Sequence, residues 1–326
     1  MRTRRIGSLV VSEIALGCNS MGNDFGRRLD QRTATEIVHA ALDSGVTLFD
    51  TSDSYGDSEI YLGNALSAVT EDVVVATKFG ERTRRAAEGT GGSRGWIRTA
   101  VERSLKRLQR EHIDLYQMHY PDPDVPISET LEALTELVRA GKIREFGCSN
   151  FSPEQLRDAS TVSNCGSFAS CQDHLNLLRQ DNVKRLLPLC DDLGLAFLPY
   201  FPLASGALTG KYLQGPESDG PSRLNLLAQQ LRARGVSDGR IEAVAPGHSG
   251  AEAVRLEALA KFAVSQGRSM TELAFAWLLS HQTVSSVIAG ASSANQIRQN
   301  ARTAGSRPMS PEEAAAAAET ARSGVL

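Results

Sequence analysis

Short runs rich in β-branched residues alternate with longer segments of helical period along this chain of 326 residues, and this alternation restricts the possible folds more than any other feature. Eight strands are predicted, at 13–18, 46–50, 73–77, 113–118, 144–148, 168–172, 195–199 and 284–289. Strands separated by helices form parallel sheets, because parallel neighbours need long crossover connections. Eight such units are the number that closes a barrel, so the sequence predicts one α/β domain over residues 1–326, a (β/α)8 TIM barrel.

An open, doubly wound sheet is the structural alternative to a barrel. Such sheets are expected to carry a G-x-G-x-x-G fingerprint directly after the first strand, where the chain turns into a helix. The residues at this position, Gly17–Gly22, read G-C-N-S-M-G and do not match the fingerprint. The barrel is therefore the favoured architecture.

The helices between the strands are predicted from apolar periodicity and from capping residues. Amphipathic segments occur at 31–44, 94–110, 127–140, 181–193, 252–266 and 270–281. Further helices are indicated where a serine stands three residues before a glutamine or glutamate, as in a capping box. These pairs are Ser152 with Gln155, Ser293 with Gln296, and Ser310 with Glu313. The last pair precedes an alanine run, Ala314–Ala318, which is typical of a surface helix.

Two parts of the chain stand outside this alternation. Residues Arg4 to Val11 are expected to form a small N-terminal hairpin that covers the floor of the barrel. After strand seven, a long loop at 213–250 contains repeated Gly-Pro steps and only a short helical patch near Leu226–Ala233. Loops of this length are usually functional or disordered. Two interpretations therefore stay open for it, a wall of the substrate site and a disordered surface insertion.

Composition excludes several classes of partner. The net charge is −3 with acidic and basic residues interspersed, so neither a nucleic acid nor an anionic membrane is expected as a partner. No stretch approaches the roughly 20 apolar residues that span a bilayer. The five cysteines show no CxxC pair and no metal-ligand spacing, which predicts buried free thiols, no metal site and a reducing, cytoplasmic location. Composition does not indicate the oligomeric state.

Polar, aromatic or glycine positions follow nearly every predicted strand, on the rim where barrels of this type carry their active sites. They are Asn19, Asp50, Lys78, His119, Ser149, Asn150, Gln172, Tyr200 and Gly290 with Ser292. One such residue would be unremarkable, because a turn acid or a solvated lysine is common at a strand end. Polar ends on nearly every strand predict a functional site.

Four of these rim residues form a candidate proton-transfer set: Asp50, Tyr55, Lys78 and His119. An isolated tyrosine has a pKa of about 10, which is high for an acid that works near neutrality. A neighbouring ammonium such as Lys78 is expected to lower that pKa, and Asp50 to keep the buried ammonium charged. An imidazole at His119 can donate a hydrogen bond that polarises a carbonyl oxygen.

At these residues the sequence resembles the aldo-keto reductases. The stretch Leu48–Gly56 is similar to the F-D-T-A-x-x-Y-G signature of that family, and the family's later landmarks follow in order between about residues 4 and 303. They are Thr77–Lys78, Asp114–Asp122, Gly147–Phe151, Pro202–Lys211, and Val287–Ser293 with Gln296 and Asn300. Because several independent motifs share order and spacing, the resemblance is specific.

The resemblance implies a catalytic tetrad of Asp50, Tyr55, Lys78 and His119, NADP(H) as cofactor and a small carbonyl compound as substrate. It also implies three groups of cofactor contacts. At the nicotinamide, Ser149, Asn150 and Gln172 hold the carboxamide and Tyr200 stacks on the ring. Leu203, Ser205 and Gly206 contact the pyrophosphate, and the adenosine is held by Gly290, Ser292, Ser293, Gln296 and Asn300. Loop amides and a helix N-terminus suit phosphates, and an aromatic face suits a flat ring.

Three positions depart from the family pattern. Gln172-Asp173-His174-Leu175-Asn176 stands where the family commonly reads Q-x-E-Y-N, and Phe201 stands where it reads serine in Y-S-P-L. Gly290 stands where some members place a lysine on the 2′-phosphate, so the basis of the expected preference for NADPH stays open. His174 itself is interpreted as a surface or supporting residue rather than a ligand.

Two other functions compete with carbonyl reduction. One is a regulatory or binding protein that senses a nicotinamide cofactor on the same barrel, similar to the potassium-channel β subunits. The other is a barrel aldolase in which Lys78 forms a Schiff base with the substrate. Turnover of carbonyl compounds distinguishes the first alternative from a reductase, and trapping of an adduct on Lys78 would support the second.

Overall fold

A computed structural model describes residues 1–22, 29–81, 91–210 and 250–325. Eight parallel strands close into a barrel, as the sequence predicts. They are β3 (Ile14–Gly17), β4 (Leu48–Asp50), β5 (Val74–Phe79), β6 (Ile113–Met118), β7 (Ile143–Ser149), β8 (Ser170–His174), β9 (Ala196–Tyr200) and β10 (Val287–Gly290). The strands pair in chain order, and β10 closes the barrel by pairing with both β3 and β9.

The N-terminal hairpin seals one end of the barrel. Strands β1 (Thr3–Ile6) and β2 (Leu9–Ser12) pair in antiparallel register. Their buried apolar residues form one cluster with inward-facing residues of the barrel strands, such as Leu48 and Leu115. Burial of these side chains removes apolar surface from water and closes the floor. The open end is therefore the opposite one, where the strands reach their carboxyl ends.

Helices surround the barrel and bury one face against the strands. The described helices are α1 (Asn19–Gly22), α2 (Gln31–Asp43), α3 (Ser58–Leu66), α4 (Arg94–Leu108), α5 (Ile127–Arg139), α6 (Pro153–Ser160), α7 (Asp181–Arg185), α8 (Leu187–Asp192), α9 (Gly250–Ser265), α10 (Met270–Ser280), α11 (Ala294–Ala304) and α12 (Pro311–Ser323). The serine caps predicted for α6, α11 and α12 are present, and the one at α6 is a complete capping box. A capping box satisfies two backbone N–H groups that a helix start would otherwise leave without a partner.

The structure differs from the sequence prediction in three elements. The segment 181–193 is two short helices that meet at Leu186, just before Pro188, which has no N–H to donate to the preceding turn. The eighth barrel strand, β10, was predicted to begin at residue 284 but begins at Val287. Val284 makes only an isolated bridge with Phe197. Helix α3 was not predicted. The segment 213–249, with the patch near Leu226–Ala233, lies outside the described residues.

The cysteines are free, and four of the five are buried. Cys18, Cys148 and Cys171 have no exposed surface, which confirms their interpretation as small buried hydrophobic residues. Among the described residues, no group of three or more histidine, cysteine or acidic side chains could hold a metal ion. In that same part of the chain, no helix combines the length and apolarity needed to cross a membrane.

Candidate active site

A cavity of about 860 Å³ opens at the carboxyl ends of the barrel strands, and most of the predicted site residues line it. From the proposed tetrad these are Asp50, Tyr55 and His119, and from the proposed cofactor contacts they are Ser149, Asn150, Gln172, Tyr200, Leu203, Ser205, Gly206, Gly290, Ser292, Gln296 and Asn300. Two predicted residues do not line it. Lys78 lies beneath Asp50, and Ser293 caps helix α11 through the backbone N–H of Gln296.

A buried ion pair lies at the base of the cavity. Lys78 Nζ donates to Asp50 Oδ2 over 2.6 Å and to the carbonyl oxygen of Thr51 over 2.9 Å. Lys78 is fully buried, and Asp50 is 3% exposed. Each charge is out of water and depends on the other, because an unpaired buried charge is strongly unfavourable. A Schiff base needs a free neutral amine, so this pairing does not favour the aldolase alternative.

Two glutamines complete the surroundings of Asp50. Its Oδ1 atom accepts from Gln172 Nε2 over 2.9 Å and from Gln117 Nε2 over 3.2 Å. Gln117 lies inside strand β6, two residues before the rim position His119, and was therefore not among the predicted site residues. With three side-chain donors on one carboxylate, Asp50 is held in a single orientation and is satisfied in its charged form.

Tyr55 lies on the loop after β4, with Lys78 Nζ 5.2 Å from the centre of its ring. The loop depends on Gly22, since a Cβ atom at that position would lie 1.5 Å from the carbonyl oxygen of Tyr55. Loss of solvation, followed by the charge of Asp50, raises the pKa of Tyr55 well above its usual value. A lower pKa was expected from the sequence, and this was wrong because burial of the phenol, which disfavours its charged form, outweighs the attraction of the Lys78 ammonium. Tyr55 therefore keeps its proton at neutral pH.

His119 is neutral in this site. Burial and then the positive charge of Lys78 lower its pKa to about 3. Its Nδ1 atom lies 3.2 Å from Ser52 Oγ and 3.4 Å from Glu81 Oε2. An ionised carboxylate only accepts hydrogen bonds, so Glu81 favours the tautomer with the proton on Nδ1. In that tautomer Nε2 accepts, which differs from the donor role that the sequence analysis gave to His119.

Asn150 connects three strands at the rim. Its backbone is left-handed, with φ at 61°, a conformation that asparagine tolerates better than most residues. Its Nδ2 atom donates to the carbonyl oxygen of His119 over 2.9 Å, and its Oδ1 atom accepts from the Tyr200 hydroxyl over 2.8 Å. The amide thereby fixes the position of the Tyr200 ring on the wall of the cavity.

The segment after β9 has an unusual backbone. Phe201, Ala204 and Ser205 have φ values of 52°, 47° and 55°, and Gly206 follows at 104°. Left-handed conformations of residues with a side chain are unfavourable and cluster at ligand sites. Here they lie in and next to the short 3₁₀ helix Ala204–Thr209, which runs along the cavity.

The far end of the cavity is formed by β10 and the start of α11. Gln296 Oε1 accepts from the backbone N–H and the hydroxyl of Ser292, over 2.9 and 3.1 Å. Asn300 Nδ2 donates to the carbonyl oxygen of Gly290 over 3.4 Å. These contacts hold a helix N-terminus, with its partial positive charge, towards the cavity.

His174 and Arg179 line the cavity, although the sequence analysis assigned neither to the site. His174 is 5% exposed, and its ring stacks on Tyr200 with centroids 5.4 Å apart at an angle of 27°. Burial and the charge of Arg179 lower the pKa of His174 to about 3, so this imidazole is also neutral. The departure from Q-x-E-Y-N is the signal that could have identified His174 as a site residue.

A protein-family model described as the aldo/keto reductase family matches residues 13–322. The chain is 40% identical over 204 residues to the aldo-keto reductase YhdN of Bacillus subtilis, a match that spans 61% of each chain. It is 30% identical to an L-glyceraldehyde 3-phosphate reductase of Escherichia coli O157:H7, over 93% of this chain and 88% of that one. The holo structure of an aldo-keto reductase, AKR11C1 from Bacillus halodurans, superposes with a TM-score of 0.78 at 30% identity over 100% and 98% of the two chains.

Proposed function

This chain belongs to the aldo/keto reductase family, and we propose that it reduces an aldehyde or ketone to an alcohol, with hydride from NADPH and a proton from Tyr55. The family supports carbonyl oxidoreductase chemistry with a nicotinamide cofactor. The observation that carries the proposal is the position of Tyr55 at the cavity, above a buried pair of Lys78 and Asp50. The identity of the carbonyl compound depends on the walls of the cavity rather than on the fold.

Each residue of the tetrad has a role in the proposed reaction. When bound, the reduced nicotinamide supplies a hydride to the carbonyl carbon, and with it both electrons. Tyr55 gives its proton to the carbonyl oxygen as charge develops there, and the tyrosinate then regains a proton from solvent. The ammonium of Lys78 stabilises the transient tyrosinate, and Asp50 holds that ammonium in place. His119 forms the wall beside Tyr55, with the two rings edge to face and their centroids 5.7 Å apart.

The described residues fit a nicotinamide dinucleotide. Tyr200 offers an aromatic face at the wall of the cavity, with Ser149, Asn150 and Gln172 close by for the carboxamide. The left-handed backbone between Phe201 and Gly206 runs along the cavity on the side where the diphosphate would lie. Ser292 and Gln296 at the start of α11, and Asn300 further along the helix, offer hydroxyl and amide groups to the adenosine half, and the exposed cap residue Ser293 stands beside them.

NADPH is the cofactor that we propose over NADH. The serine pair Ser292 and Ser293 and the N-terminus of α11 form a place that can receive a 2′-phosphate. A higher kcat/KM with NADPH than with NADH supports this proposal. Equal values for the two cofactors would contradict it without affecting the assignment as a reductase.

Steady-state turnover of a panel of aldehydes and ketones tests the proposed function, with Tyr55→Phe as the diagnostic variant. The phenol is needed only when charge develops on the carbonyl oxygen, so its loss is expected to lower kcat by on the order of 10²-fold or more. Cofactor affinity, measured by fluorescence titration, is expected to stay nearly unchanged. Cofactor binding without turnover of any carbonyl compound in the wild type would instead support a regulatory protein on the same barrel.

A further inference from the structure

A positively charged side chain, Arg179, stands at the mouth of the cavity and forms no ion pair within the described part of the chain, although Asp173 interacts with it electrostatically. Arg179 follows β8, its side chain is exposed, and it lines the cavity together with His174 and Tyr200. Among the described residues that line this cavity, it is the only lysine or arginine. A guanidinium presents five N–H donors in a planar fork, and it accepts no hydrogen bond.

The nearest side-chain contact of Arg179 is His174. Arg179 Nη1 lies 3.0 Å from His174 Nδ1, while Asn176 Nδ2 lies 3.0 Å from the other ring nitrogen, Nε2. The orientation of the Asn176 amide is fixed at both ends. Its Oδ1 atom accepts the backbone N–H groups of Leu178 and Arg179 over 3.0 Å each, and its Nδ2 atom also donates to the carbonyl oxygen of Phe201 over 2.9 Å.

His174 therefore faces a donor at each ring nitrogen. A neutral imidazole has one lone pair in the ring plane and one N–H, so it can accept from only one of these two donors. Because Asn176 is fixed, Nε2 accepts and Nδ1 carries the proton. The N–H of Nδ1 and the N–H groups of Arg179 then point at each other across 3.0 Å with no acceptor between them. A negatively charged oxygen placed between these two donors would accept from both of them.

We propose that Arg179 and His174 form an anion subsite, which binds a carboxylate or phosphate group of the ligand that occupies the cavity. An oxygen of that group accepts from both Arg179 and His174 Nδ1, and it removes the mismatch between the two donors. The anionic group belongs either to the carbonyl substrate or to the cofactor. Its assignment to the substrate rests on the proposed function, whereas the existence of the subsite does not.

The test compares Arg179→Gln with Arg185→Gln, which removes the same charge from an exposed arginine that does not line the cavity. Two aldehydes of equal chain length serve as substrates, the anionic succinate semialdehyde and the neutral butanal. If the substrate supplies the anion, Arg179→Gln raises KM for succinate semialdehyde about tenfold or more and leaves butanal within about twofold. If the cofactor supplies it, Kd for NADPH and NADH rises by a similar factor.

A second variant and a binding measurement complete the test. His174→Glu places a carboxylate where the anion would lie, so it is expected to remove the preference for succinate semialdehyde over butanal. Binding of inorganic phosphate, followed by isothermal titration calorimetry, needs no reaction and is expected to weaken in Arg179→Gln but not in Arg185→Gln. If wild type turns over no carbonyl compound of the panel, this loss of phosphate binding still supports the subsite while the proposed function fails. Arg179→Gln values equal to those of Arg185→Gln in all three measurements would overturn the subsite.

Discussion

Lys78 couples the chemistry of the cavity to the stability of the barrel. Its ammonium group lies beneath Tyr55, and among the described residues it is the one cation paired with Asp50, which is itself buried. A substitution at Lys78 therefore has two effects, one on proton transfer and one on an uncompensated carboxylate. The two effects can be separated, because only the second depends on the charge of Asp50.

We predict that Lys78→Met lowers the free energy of unfolding by about 3–5 kcal/mol, the effect of leaving one member of a buried ion pair without its partner. It should also lower kcat by on the order of 10²-fold or more, since nothing then stabilises the tyrosinate of Tyr55. Urea denaturation and steady-state kinetics measure the two changes.

The double variant Asp50→Asn with Lys78→Met serves as the control. It removes both charges, so most of the lost stability should return while kcat stays low. A double variant with near-normal kcat would show that Lys78 has only a structural role. Stability that fails to recover would show that the pair is not the origin of the first loss.

Among individual residues, the sequence predicted the site residues that stand at strand ends and missed those that lie within a strand or on a loop. Asp50, Lys78 and His119 were found because an apolar strand ends in a polar residue. Gln117 lies within β6, and Arg179 and Glu81 lie on loops, where polar side chains are the norm and no pattern separates a site residue from a solvated one. The direction of the Tyr55 pKa was also missed, because burial is a property of the folded chain.

Arg4 connects the hairpin to the last third of the barrel. From β1, its guanidinium donates to the carbonyl oxygen of Leu279, in the last turn of helix α10, over 2.7 Å, and to that of Val284, just after the helix, over 2.6 Å. It also donates to Glu13 over 2.9 Å. One side chain thereby satisfies backbone acceptors at and just beyond a helix end, where intrahelical partners are missing.

We predict that Arg4→Ala lowers the free energy of unfolding by about 1.5–3 kcal/mol, the range for hydrogen bonds that involve a charged group. Its kcat and KM should stay near those of wild type, because the floor lies at the opposite end of the barrel from the cavity. Arg5→Ala removes the same charge from an exposed neighbour and should change the stability by less than about 0.5 kcal/mol. Equal losses in the two variants would contradict the prediction.

The elements that the sequence predicted well are those with a strong periodic or capping signal. All eight barrel strands lie within a few residues of their predicted positions. Helix α3 was missed because its apolar residues do not form one stripe, Gly63 interrupts it, and Asp57 makes no side-chain cap. The division of 181–193 at Leu186 follows from Pro188, a signal that was present in the sequence but outweighed by the apolar periodicity.

The molecule as a whole keeps two histidines neutral in its interior. His119 and His174 have folded pKa values of about 3, whereas a histidine in the unfolded chain has a pKa of about 6.5. As the pH falls below about 6.5, the unfolded chain binds protons that the folded protein does not. The stability of the folded protein is therefore unaffected by these two histidines above pH 6.5. It decreases progressively as the pH falls from 6.5 towards 3.

We predict that the free energy of unfolding falls by about 1.4 kcal/mol per pH unit for each of these histidines between pH 6 and pH 4. Urea denaturation at several pH values measures the slope. His174→Gln removes one of the two titrating groups, so it should reduce the slope by about 1.4 kcal/mol per pH unit. An unchanged slope in His174→Gln would contradict the buried neutral state.

The floor of the barrel also sets an order for its assembly on the ribosome. The acceptors of Arg4 lie 275 to 280 residues further along the chain, and β3 pairs with β10 at a comparable separation. Arg4 and β3 are therefore synthesised long before the residues with which they pair. Contacts of such long sequence separation form slowly, because the intervening chain must first be ordered. Until residues 279–290 emerge, the nascent hairpin and the edge of β3 lack these partners and are open to chaperones or to other chains.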